Sequence, residues 1–127
     1  MHTKSENSAM TPQDFVNRLQ FSVVEENMEI YRGLFASTSV ELASDIHWKH
    51  ALRFFADLSP DQQEIFFDVI RQVIVDTTSN LLGIVDGVNT LEGVVDTFEL
   101  SCGGTHKLSG DLQSIFLASD EMSRNAR

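Results

Sequence analysis

The sequence predicts a mainly helical α+β domain, a helical bundle around one long central helix with a small β-hairpin near the C-terminus. Apolar residues recur at the three-to-four-residue spacing of amphipathic helices along most of the chain. Within residues 60–86 they cover more than half of the helical circumference, as expected of a helix that other helices surround. Over residues 95–102 apolar and polar residues alternate, which is the pattern of a half-buried strand.

The first helix is predicted over residues 12–35. Thr11 supplies a hydroxyl that can cap the free amides of the first turn. Pro12 suits the first helical position because its missing amide hydrogen is not needed there. Apolar residues then follow at helical spacing as far as Leu34. Residues 1–10 are polar and are expected to form a disordered tail.

A second helix is predicted from Ser44 or Asp45 to Leu58, and the long central helix follows it. Ser59 is a favourable N-cap residue for the central helix, and Gln62 stands three residues later, as in a capping box. These signals predict that the central helix starts immediately after Ser59 and continues without interruption to about residue 86.

One strip of the central helix is expected to stay in water. Within it, Asp68 and Arg71 are spaced as a surface ion pair of the i,i+3 kind. The predicted strip consists of Asp61, Glu64, Asp68, Arg71, Gln72 and Ser79.

The region after the central helix is predicted to form a hairpin and a last short helix. Phe98, Leu100 and Cys102 would face inward along the first strand, and two glycines would form the turn. Residues 105–108 would return as the partner strand, and the last helix would start near Asp111.

The length of 127 residues is typical of one domain. The single helical domain is expected to span residues 11–121, and residues 122–127 are expected to form a frayed tail.

The charge balance narrows the classes of partner. Nineteen acidic and nine basic residues give a formal net charge of −10. Binding to nucleic acid or to anionic membranes is not expected, because Lys and Arg supply most of the affinity for both. An acidic surface keeps a protein soluble and can attract a basic protein partner.

The sequence gives few signals for the cellular compartment of the protein. Cys102 is the only cysteine, so an internal disulfide is excluded. The first ten residues lack the apolar core of a signal peptide, and no apolar run reaches the roughly 18 residues needed to span a bilayer. We therefore expect a cytoplasmic protein that makes no use of a membrane.

Only one residue set suggests a metal site. His47 and His50 lie three residues apart on the predicted second helix, so both rings can reach one face and hold a divalent metal with Asp45. The HExxH pattern of zinc peptidases is missing, and two histidines on an exposed face explain the spacing equally well.

Cys102 and His106 are close in sequence and are residue types that serve as nucleophile and base in catalysis. Nothing in the sequence, however, places a third residue to orient the imidazole. No catalytic residue and no cofactor is predicted.

The stretches LSPDQQEIFFDVIRQVIVDTTSNLLGIVDGV and FELSCGGTHKLSGDLQSIFL, within residues 58–118, resemble small acidic bacterial proteins. The shared order is a capped apolar helix, an Asp-Gly loop, a short strand and a terminal helix. Some proteins of this kind are immunity partners of bacterial toxins. The resemblance implies an interaction function and no catalytic residues.

Three functions follow as hypotheses. The favoured one is a non-enzymatic interaction or regulatory module of bacterial type, which binds a basic partner through its acidic surface. The second is a small metal-binding protein or hydrolase that uses His47 and His50. The third is a structural homodimer in which the apolar faces of residues 60–86 pair. The first is favoured because the chain is strongly acidic and carries no strong catalytic motif.

Overall fold

The computed structural model describes residues 9–41 and 43–126, and this part of the chain contains four helices and one two-stranded hairpin. The predicted mainly helical fold with a small C-terminal hairpin is therefore confirmed. Helix α1 spans residues 12–37 and consists of α-helical Pro12–Leu19, π-helical Gln20–Glu25 and α-helical Glu26–Ser37. The other elements are α2 (Ile46–Ala56), α3 (Pro60–Val85), β1 (Ser101–Cys102), β2 (His106–Lys107) and α4 (Leu112–Asn125).

The helix starts are set by side-chain caps. The Thr11 hydroxyl accepts a hydrogen bond from the Asp14 amide at 3.0 Å, and the Ser59 hydroxyl accepts one from the Gln62 amide at 3.2 Å. Both pairs form full capping boxes, because the side chain three residues on bonds back to the cap amide. The Asp45 carboxylate accepts from the amide two residues later at 2.8 Å. The predicted starts of α1, α2 and α3 are confirmed.

Helix α3 is one unbroken helix of 26 residues, roughly 39 Å long at the standard rise. It lies in contact with α1 along its length and with α4 near its C-terminal half. The expected continuity is therefore confirmed. The expected exclusion of water is not complete, because Ile65, Val69 and Val73 are each about 60% exposed.

The core has two parts that meet along α3. The first joins the start of α1, the C-terminal half of α3 and α4, and it includes the fully buried Phe116 and Val16. The second joins the end of α1, α2 and the N-terminal half of α3. Phe35 is at its centre, with ring centroids 4.7 Å from Phe55 and 5.1 Å from Trp48. Aromatic side chains at these separations pack favourably.

The end of α3 and the start of α4 are joined by one carboxylate. Asp86, which ends α3, accepts hydrogen bonds from the amides of Gly110, Leu112 and Gln113 at 2.6, 3.1 and 2.8 Å. Helix α4 starts next to Asp111 as predicted, and the Asp111 side chain makes no capping bond. A residue distant in sequence therefore satisfies the free amides at the start of α4.

The predicted long strand over residues 95–102 is wrong. Only Ser101 and Cys102 are in a strand, paired antiparallel with Lys107 and His106. Residues 86–100 have no strand or helix, and Phe98, expected to face inward, is 47% exposed. The return segment explains this, because after two residues the chain turns into the core at Leu108 and leaves the preceding residues without a partner strand.

Helix α4 continues to Asn125, so residues 122–125 of the predicted C-terminal tail are helical. Residues 1–8 of the predicted N-terminal tail and Arg127 of the C-terminal one lie outside the described residues.

Replacing Phe35 by Ala should lower the free energy of unfolding by about 3–5 kcal/mol, because the ring is buried at the centre of the aromatic cluster. Denaturant titration measures this change. Val95→Ala is the control, since Val95 is 95% exposed and should change stability by less than about 0.5 kcal/mol. Equal effects of the two substitutions would contradict the described core.

Candidate interaction surface

The residues predicted for a metal site lie at the start of α2. The carboxylate of Asp45 is engaged as the helix cap, and His47 and His50 are exposed. Among residues 9–41 and 43–126, no group of three or more His, Cys, Asp or Glu side chains is close enough to hold a metal ion. The metal site therefore stays a prediction.

Cys102 and His106 are directly opposite each other in the hairpin. Cys102 is half-buried and His106 is exposed. The hairpin therefore brings the two residues together, as the sequence allowed. The neighbouring ion pair, Lys107 with Glu99 at 3.9 Å, is exposed and lies at the surface.

The predicted surface pair of Asp68 and Arg71 is wrong. Arg71 is only 4% exposed, and its Nη2 lies 2.8 Å from Oδ1 of Asp120, which is 2% exposed. Ser79, expected in the same polar strip, is also buried. The other four residues of the strip are exposed as expected. Arg71 and Ser79 are buried because α4 packs on their side of α3, and it supplies a buried carboxylate that the local spacing of α3 did not reveal.

Both ends of the π-helical segment of α1 contact this buried ion pair. The side-chain Nε2 of Gln20 donates a hydrogen bond to Oδ1 of Asp120 at 3.2 Å, and Nη2 of Arg71 lies 3.4 Å from Oε1 of Glu25. In an α-helix, side chains five residues apart are about 140° apart. The wider π turns bring such residues closer to one face. The π segment therefore lets both of its ends reach the Arg71–Asp120 pair.

The seam between α1 and α3 has one polar side. Arg32 of α1 forms a bidentate salt bridge with Glu64 of α3: Nη1 donates to Oε2 at 3.0 Å and Nη2 donates to Oε1 at 3.2 Å. The hydrogen bond from Arg32 lowers the pKa of Glu64, and the same bond raises the pKa of Arg32. The Arg32 guanidinium also lies 4.5 Å from the centre of the Phe67 ring.

The opposite side of the same seam is apolar and open to solvent. Tyr31 and Phe35 of α1 face Val69 and Val73 of α3 across a groove of about 320 Å³, whose floor includes Ile70. We call the exposed apolar side chains of this groove and of the adjoining faces of α1, α2 and α3 the apolar surface. It comprises Ile30, Tyr31 and Leu34 of α1, Phe54 of α2, and Ile65, Val69 and Val73 of α3, which are 38–60% exposed.

The sequence predicts the α3 part of this surface, because residues 60–86 carry more apolar positions than one buried face needs and so suggest a homodimer through that helix. It does not predict the parts on α1 and α2, whose residues share the periodicity of the buried stripes of those helices.

No protein-family model, curated protein or solved structure matches this chain. In the described part of the chain, no helix has the combined length and apolarity needed to cross a bilayer.

Replacing Asp120 by Ala should lower the free energy of unfolding by about 3–5 kcal/mol, because Arg71 would stay buried without its closest charge partner and with only the half-exposed Glu25 at 3.4 Å. Glu121→Ala is the control, since Glu121 is the exposed neighbour on α4. The double variant Arg71→Met, Asp120→Leu should regain most of the loss, because no charge is then buried. Denaturant titration measures all three, and an Asp120→Ala loss below about 1 kcal/mol would contradict the role of the pair.

Proposed function

We propose that this chain is a non-enzymatic protein-interaction module that binds a basic protein partner. The apolar surface carries the proposal. It combines exposed apolar side chains from three helices: Tyr31, Val69 and Val73 line one groove, and Phe54 and Ile65 line a second. Contiguous exposed apolar side chains on a small domain are typical of interaction sites. Their helical backbone also makes such a site rigid before any partner arrives.

The charges of α1 and α3 support a basic partner. Their sequences contain eight acidic residues and three arginines. Of the three, Arg71 is buried and Arg32 is paired with Glu64, so the exposed charge on these two helices is mainly negative. A negative field speeds association with a positively charged partner and disfavours an acidic one. An immunity-type partner of a toxin, which the sequence resemblance implied, is one form of such a module.

A homodimer through the same surface is the alternative, since the apolar surface would also be covered by a second copy. It is less favoured, because each copy carries a formal charge of −10. Two copies with the same net charge repel each other.

Site-specific photocrosslinking in living cells tests the proposal. The photoreactive residue p-benzoylphenylalanine replaces Val69 in one variant and Leu81 in the matched control, because both positions are 58% exposed on α3 and only Val69 lines the groove. We expect a discrete adduct with one basic protein from position 69 and none from position 81.

Two outcomes would contradict this expectation. The same adducts from both positions, or none from either, would show that the apolar surface binds no protein. An adduct of twice the chain mass from position 69 would replace the basic partner by the homodimer.

A further inference from the structure

The apolar surface contains two depressions that follow α3. The first is the groove of about 320 Å³ next to Val69 and Val73. The second, of about 240 Å³, is lined by Phe54 and Leu58 from the α2 side and by Ile65 and Phe66 of α3. The rings of Phe54 and Phe66 have centroids 5.9 Å apart. Both depressions are thus lined almost entirely by apolar side chains.

The separation of the two depressions matches two turns of an α-helix. The α3 residues of the first are 69–74, and those of the second are 62–66. Their centres are about seven residues apart, or roughly 11 Å along the helix. Side chains at positions i and i+7 of an α-helix have nearly the same separation, because they are two turns apart. A helix lying along α3 would therefore present two anchors to the two depressions.

The border of the surface indicates the charge of that helix. Asp61 is four residues before Ile65, and Asp76 is three residues after Val73. Residues at these spacings are neighbours on a helix surface. Both carboxylates are exposed. They lie within reach of long Lys or Arg side chains on a helix packed against Ile65 and Val73.

The α1 border of the apolar surface also carries a negative charge. Glu26 is four residues before Ile30, and it too is exposed. A second copy of the chain would place its own acidic border against these carboxylates. A partner with Lys or Arg beside its apolar face would neutralise them instead.

We propose that the apolar surface holds one amphipathic α-helix of a partner protein, anchored by large apolar side chains at i and i+7 and flanked by Lys or Arg. The inference rests on the proposed function and adds the shape and charge of the bound segment. The apolar anchors supply affinity by burial, and the flanking cations select against acidic helices.

Synthetic helical peptides of about 18 residues are the probe. The first has Leu at i, i+3 and i+7 and Lys on both flanks. The second keeps every Lys but has Ala in place of Leu, and the third keeps Leu but has Glu in place of Lys. Fluorescence anisotropy measures their binding to the full chain. We expect the first to bind at least about tenfold more tightly than either other peptide.

Paired protein variants locate the binding. Val69→Asp should weaken the first peptide at least about tenfold, whereas Leu81→Asp should not change it. Asp61→Asn with Asp76→Asn should weaken binding at low salt more than Glu92→Gln with Glu121→Gln, which remove the same charge elsewhere. Circular dichroism melting checks that all variants fold, as expected for exposed positions.

Equal binding of the Leu and Ala peptides, or equal effects of Val69→Asp and Leu81→Asp, would overturn the inference. This failure is distinguishable from failure of the proposed function, which photocrosslinking decides. A crosslinked partner whose attached segment is extended or acidic would keep the interaction module and overturn the bound basic helix.

Discussion

The buried ion pair between Arg71 and Asp120 joins α3 to α4 on the side of α3 that faces the core. Arg71 and Val75, four residues apart, point inward together. Val69 and Val73 are each two residues from Arg71, about 200° around the helix, so they point outward. The inward face also carries Phe67 and Leu82, so burial of apolar side chains favours the same rotation of α3 as the ion pair does.

The same constraint links the π segment of α1 to the surface proposed for binding. Gln20 and Glu25 both reach the ion pair because the wider turns bring them to one side of α1. With α1 and α3 fixed in this way, the seam between them has one polar side at Arg32 and one apolar side at Tyr31. A buried ion pair does not of itself stabilise a fold, but it can specify one arrangement over others. Here the specified arrangement leaves an apolar groove open to solvent.

Local sequence signals predicted local structure well. The Ser59 capping box fixes where α3 begins, and it is read from four consecutive residues. The ion pair could not be read in this way, because the spacing rule for helices offers Asp68 as the partner of Arg71 and the actual partner lies on another helix. The predicted strand around Phe98 failed for a related reason, since a strand also needs a partner that alternation does not supply.

Candidate functional sites also differ in whether a local pattern predicts them. The spacing of His47 and His50 is a local pattern, and it predicts a metal site on α2. The apolar surface instead depends on how three helices are rotated and packed, so no single segment predicts it. Its members looked like core residues because they share the periodicity of core residues.

Hydroxyl-radical footprinting of the isolated chain in dilute solution tests most directly whether the α3 part of the apolar surface faces solvent. Val69 and Val73 should be oxidised at rates typical of exposed valines, and Val75, on the same helix but 2% exposed, should be protected. Protection of Val69 and Val73 equal to that of Val75 would contradict the rotation of α3 and with it the surface on which the proposed function depends.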